Sequence, residues 1–239
     1  MNNPPYLWVF MLYVSFTVAS IFIWLVSSSL RQSGKSQTSG KADFAVTAIT
    51  VFGWLAIAGT LGFFGLFRIL IGGYLPSIIL GICLPILVGC WFMFGSNRGA
   101  ALVRDMPQEW MIGIQAYRGL GAIFLVLNGL NQLPSEFAIP AGFGDVTTGI
   151  LAIPVAAYYG SASPFRKLVA VVWNVFGFAD LVAALTLGFL TSPSPFQLLA
   201  LDHPNFLVGQ FPLVLIPVFA VPISILLHIA SLKKLVTEK

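Results

Sequence analysis

The sequence predicts an all-α polytopic membrane protein with seven transmembrane helices, amino terminus outside and carboxy terminus cytoplasmic. Three observations carry this expectation. The 239 residues are 58% hydrophobic and only 8% charged, whereas soluble domains carry charge on roughly a quarter of their positions. Apolar stretches close to the ~20 residues that cross a ~30 Å hydrocarbon layer recur seven times. The basic residues, finally, divide unequally between alternate loops, which is the mark of a fixed orientation.

The predicted spans are Pro5 to Ser27, Phe44 to Ile71, Tyr74 to Phe94, Trp110 to Leu133, Pro140 to Tyr159, Phe165 to Leu190 and Phe211 to Leu232. Turn-forming punctuation separates them: RQSGKSQTSGK, the GSNRG turn, PSEFAIP, SASPFRK and the longer TSPSPFQLLALDHPNFLVGQ. No Lys or Arg precedes the first apolar run and no small-residue cleavage site follows it, so it reads as a retained span. Together the spans leave no segment able to fold as a soluble domain, and residues 1–239 read as one transmembrane domain. In the last long loop Ser194 and Pro195 make a good helix start, with Phe196 to Asp202 as its continuation and Pro204 as its stop.

With the amino terminus outside, the inner side collects Arg31, Lys35, Lys41, Arg98, Arg104, Arg166, Lys167, Lys233, Lys234 and Lys239, against Arg68 alone on the outer side. The net charge of +4 is therefore a topology signal and implies no nucleic-acid partner; the partner implied is the lipid bilayer. Cys83 and Cys90 fall about two turns apart in one apolar run, too far to bridge, and read as buried thiols.

Three ionisable residues lie inside spans: Arg118, Asp145 and Asp180. Such groups are costly in hydrocarbon and mark function by default. Arg118 and Asp180 fall near one depth, while Asp145, close to the start of its span, is expected nearer the outer surface, where the helix dipole favours its ionised form. Small or polar residues accompany each at helical spacing: Gln115, Ala122 and Gly129 with Arg118, Gly119 lying beside them, Gly149, Ala152 and Ala156 with Asp145, and Asn174, Gly177, Ala184 and Gly188 with Asp180. The charges thus lie on faces built for helix contact. One cation and two anions leave an uncompensated negative charge, which invites a proton, an ion or a cationic ligand. A site lined by Gln115, Arg118, Asn128, Asp145, Thr148, Asn174 and Asp180 is expected in the outer half. The seventh span carries a separate polar stripe of Pro217, Ser224, His228 and Ser231, with prolines 212, 217 and 222 freeing backbone carbonyls. His228 reads as a hydrogen-bonded interface residue.

The function expected first is binding or translocation of a small polar solute or ion. The alternatives are an intramembrane hydrolase and a structural or partner-stabilising membrane subunit. Gly142-Phe143-Gly144-Asp145 resembles the G-x-G-D signature of the intramembrane aspartyl proteases, and the resemblance implies Asp145 and Asp180 as a catalytic pair. Those families also carry a Pro-Ala-Leu element and more spans, which this chain lacks. The two histidines lie on opposite sides, so neither a bis-histidine haem nor a zinc site is expected. No lysine lies within the seventh span to bind retinal. No GxxxxGK, CxxC or GxSxG element occurs, and no cofactor is implied.

Overall fold

The structure, a computed structural model, describes residues 5–32, 37–71, 73 and 75–237. α1 (Pro5–Gln32) and α2 (Gln37–Phe63) form the first pair of helices. A 3₁₀ turn at Leu66–Arg68 leads into a short antiparallel ladder, β1 (Leu70–Ile71) with β2 (Leu75–Pro76), pairing Leu70 with Pro76 and Ile71 with Leu75. α3 (Ile78–Gly95) and the short α4 (Asn97–Asp105) follow. The fourth column runs unbroken from Gln108 to Gly129 in three windings: α5 (Gln108–Gly113), a 3₁₀ segment (Ile114–Gly121) and α6 (Ala122–Gly129). After α7 (Ser135–Tyr159) and α8 (Arg166–Thr191) comes an irregular stretch, then a π-helical turn at Ile216–Ala220 continuous with α9 (Val221–Thr237). Among the described residues seven helices are long and apolar enough to cross a membrane, as a multi-pass membrane protein requires.

Taking the start of α1 as the top, the upper core gathers Leu7, Met11, Phe124, Phe137, Leu213 and Val214. The lower core gathers Val18, Leu25, Met93, Met111, Leu227 and Ala230. α7 is central, packed on α8, the 3₁₀ segment, α5 and α6. The last column is the most enclosed, while α2 and α3 keep most of their surface open. Between helices this apolar, lipid tails would compete on equal terms with leucine, so close packing and interhelical hydrogen bonds must decide which faces meet.

Several expected boundaries move, each for a local reason. The second stretch stops at Phe63 instead of Ile71, because Gly65 takes a left-handed φ of 71° and reverses the chain. The third starts at Ile78, since Leu75 and Pro76 belong to the ladder. GSNRG is no simple turn: Ser96 accepts from Gly99 N at 2.9 Å and caps α4, so Asn97–Asp105 is helical. The fourth column begins at Gln108, after Pro107, and ends at Gly129 rather than Leu133. Most of PSEFAIP is the first turns of α7, which starts at Ser135 directly after Pro134.

The helix expected over Phe196 to Asp202 does not form. The amides of Leu198 and Leu199 both turn back to the Leu190 carbonyl at the end of α8, at 2.9 and 3.0 Å, and Ala200 takes a positive φ of 51°. The free end of α8 thus captures the donors a new helix would have needed. The seventh stretch becomes regular only at Ile216. Of its prolines Pro222 acts as expected: it lacks an N–H, and the Val218 carbonyl accepts instead from Trp54 Nε1 of α2 at 2.9 Å, whereas the Leu213 carbonyl four residues before Pro217 accepts from Ile216 N at 3.0 Å. The Ala220 carbonyl accepts from the Tyr117 hydroxyl at 3.1 Å. Cys83 is exposed and Cys90 partly buried, so neither is a core thiol, because α3 lies at the edge of the bundle.

Candidate functional site

The fourth column decides the position of Arg118. Winding at three residues per turn eclipses positions three apart, and Gln115, Arg118 and Gly121 accordingly form one buried row. The face expected from α-helical spacing, with Ala122 and Gly129, is replaced by this straighter one. Glycines make it possible. A Cβ at Gly149 of α7 would collide with Gly119 N and stand 2.9 Å from the Arg118 carbonyl carbon, so the two backbones are in contact there. A Cβ at Gly121 would stand 2.5 Å from Asp145 Cβ.

On this row the Arg118 guanidinium is almost wholly enclosed, its side chain 2% exposed. Its Nε donates to Asp145 Oδ1 of α7 at 2.8 Å, and Nη2 donates to Asp180 Oδ2 of α8 in a short ion pair. Nη1 donates to the Gly177 carbonyl at 3.0 Å and to His228 Nε2 of α9 at 3.1 Å. Four helical columns therefore meet at one cation. A planar fork of fixed donors suits this task in a way a lysine would not.

Asp145 does not lie nearer the surface than its partners. Because α7 starts at Ser135, Asp145 is roughly ten residues into its helix. Arg118 and Asp180 are about as far from the upper ends of theirs, so all three share one level. The dipole of α7 is then too distant to matter, and the guanidinium takes over as counter-charge. Asp145 Oδ2 and Asp180 Oδ1 accept no hydrogen bond among the described residues, so two carboxyl groups share one guanidinium and each keeps one oxygen without a protein donor.

His228 and its stripe, expected to stand apart, belong to the same network. Arginine only donates, so His228 Nε2 accepts, and the ring proton sits on Nδ1, which faces Asn174 Oδ1 at 3.0 Å. Asn174 Nδ2 completes the chain by donating to the Ala170 carbonyl at 2.8 Å. Above, Tyr117 OH meets Ser224 Oγ at 2.5 Å; below, Gln108 Nε2 donates to Ser231 Oγ at 2.5 Å. The whole polar stripe of α9 is thus zipped to the fourth column. Between the Gln108 and Arg118 cross-links lies Gln115, fully buried, with neither amide atom bonded to protein; Thr148 Oγ1 is in the same condition.

Asn128 is not part of this site. Its amide donates to the Leu133 carbonyl at 2.9 Å and to Ser135 Oγ at 3.0 Å, closing the turn between α6 and α7. Of the seven residues expected to converge, Arg118, Asp145, Asn174 and Asp180 are brought together, Gln115 and Thr148 line adjoining buried positions, and Asn128 lies apart.

Above the cluster is a cavity of about 520 Å³. Its walls are Ile78, Ile79, Ile82 and Cys83 of α3 on one side and Leu181, Ala184, Leu185 and Phe189 of α8 on the other. The floor includes Pro217 and Val221, with the Asp145 side chain, 14% exposed, as its one carboxylate. Arg68, exposed, stands on the upper wall, and residues 192–209 contribute the roof. Among the described residues no group of three or more His, Cys, Asp or Glu side chains converges to hold a metal.

Over residues 75–236 the sequence matches the model of a domain of unknown function, DUF8737. The chain belongs to the DUF8737 family. Neither a curated protein nor a solved structure matches it. The DUF8737 region contains Arg118, Asp145, Asn174, Asp180 and His228 together with both long walls of the cavity, whereas Phe67, Arg68 and Leu70 precede it. Tyr117, His228 and Trp54 are the site's supporting residues that sequence spacing did not gather. A signal was present: Ser224, His228 and Ser231 on one helix face, and Gln108, Gln115 and Arg118 on another, are two polar stripes, each lacking a partner until paired with the other.

Proposed function

We propose that this chain is a seven-span membrane protein, amino terminus outside, that binds a small solute in the cavity above Asp145 as the first step of its action. The orientation is supported by the distribution of charge. Arg98, Arg104, Arg166, Lys167, Lys233 and Lys234 lie at the lower end and Arg68 at the upper. The side chains of Arg31, Lys35, Lys41 and Lys239 fall outside the described residues.

The observation that carries the binding reading is the junction of a 520 Å³ cavity with a charged floor whose cation and anions do not cancel. Ligand pockets measure about 300–1,000 Å³ and combine apolar walls with a few placed polar groups. Hydrolysis by two aspartates requires carboxylates that share a proton across a water; here both face one guanidinium, which favours electrostatic recognition over water activation.

The test is the melting temperature of the purified protein in lipid nanodiscs, measured against alkali cations, amines, carboxylic acids and neutral alcohols. At least one class should raise it, and the rise should vanish in Ala184→Trp, which fills the cavity. No shift with any class, or shifts that survive the filled cavity, would remove the reading.

A further inference from the structure

We infer that the solute is a lipophilic amine that enters the cavity sideways from the bilayer, between α3 and α8, and places its ammonium group on Asp145. The inference rests on the reading of the cavity as a binding site and names what binds there.

The lateral route follows from packing. α3 rests on α4, α9 and the turn at Leu66–Arg68, while α8 rests on α7 and α9; the two form opposite walls of the cavity. Cys83 of α3 and Thr186 of α8 both line it and are both exposed. Each lies five residues, about 7.5 Å, along its helix from the upper end. Between spanning helices a passage at this height is bordered by hydrocarbon, and a molecule arriving through it comes from lipid.

The charge follows from the floor. Isoleucine, leucine and phenylalanine dominate the walls, and the charged residues among them are Arg68 at the rim and Asp145 at the base. Asp145 gives one oxygen to Arg118 and keeps Oδ2 free of protein donors. The cluster it belongs to is one positive charge short. An ammonium group supplies that charge and up to three N–H donors; an alcohol supplies a donor without charge; a carboxylate adds a third anion. The apolar walls require the rest of the molecule to be hydrocarbon.

The experiment uses Cys83 as a native reporter. In a Cys90→Ala background in nanodiscs, Cys83 is labelled with a small bilayer-soluble maleimide in the presence of decylamine, decanol, decanoate or methylammonium. The three decyl probes are compared at equal membrane content. Decylamine should half-protect Cys83 at a concentration at least tenfold below decanol, decanoate and methylammonium, and Asp145→Asn should erase the advantage over decanol. Equal protection by decanol or decanoate would overturn the amine, and equal protection by methylammonium would overturn the lipophilic body; in either case the cavity would still stand as a binding site. Absence of protection by all four would overturn the amine as well, and the melting scan across solute classes decides separately whether the cavity binds anything. The four-probe comparison needs only the native site, so it remains decisive if Asp145→Asn fails to fold.

Discussion

Arg118 Nη1 donates to His228 Nε2 across 3.1 Å, and this one contact fixes which ring nitrogen of His228 carries the proton. The imidazole must accept from the arginine and donate to Asn174, so it is neutral and its two neighbours are held in place through it. Nitrogen NMR of the histidine ring should report a bare Nε2 and a protonated Nδ1. His228→Leu should lower stability by about 1–3 kcal/mol, since it strips a buried partner from both the guanidinium and the amide.

Removing Arg118 should be more damaging than removing either carboxylate. Arg118→Met leaves two enclosed anions without a counter-charge, and breaking a buried pair from one side costs about 3–5 kcal/mol. Adding Asp145→Asn and Asp180→Asn to Arg118→Met should recover most of that loss. Thermal melts of the four combinations give the coupling directly.

Two glycines whose backbones touch, Gly149 and Gly119, should respond in opposite ways to the same change. Gly149→Ala drives a methyl group into the Gly119 and Arg118 backbone, where no side chain can swing aside, and should cost at least ~2 kcal/mol or abolish folding. Gly119→Ala meets nothing within 4 Å and should be neutral, or stabilising by up to ~1 kcal/mol if it holds the helix better than glycine. Comparable losses at both sites would contradict the contact between the fourth column and α7.

Trp54 is tied to the seventh column through a carbonyl freed by proline. Trp54→Phe should cost ~1 kcal/mol by leaving the Val218 carbonyl without its donor. In a Pro222→Ala background the same substitution should cost less, because the restored N–H can serve that turn. A double-mutant cycle on melting temperatures measures the difference.

Gln115→Leu should leave stability unchanged or raise it by about 1 kcal/mol. The amide is fully buried with no protein partner, and an apolar side chain of similar size does not leave donors and acceptors unpaired. A loss of 2 kcal/mol or more in thermal melts would contradict this.

Much of the architecture was legible before any coordinates, because the signals are local. A run of apolar residues long enough to span is visible wherever it occurs, and so are a Pro222 that must free a carbonyl and an ionisable residue stranded among leucines. Boundaries were less legible. Pro134 and Ser135 open α7 five residues before the expected start, an error that also misplaced Asp145 by more than a turn. The helix expected after Ser194 had good local signals but lost its donors to the end of α8, a competitor the segment itself does not reveal. Asn128 reads as a site residue by its polar side chain within a span; its use in closing the turn before α7 depends on where the chain goes next.

Local sequence signals are enough for an all-helical chain with seven helices long and apolar enough to span a membrane, and for one arginine and two aspartates stranded within them. Which groups pair with those three charges follows from the packing of distant helices. The contacts of Arg118 reach 27, 62 and 110 positions along the chain, and pairing at such separations depends on which helix faces can approach closely. That is set by glycines on α7 and by the 3₁₀ winding of the fourth column, a change of pitch that turns Gln115, Arg118 and Gly121 into one row and brings His228 into a site to which no short stretch of sequence assigned it.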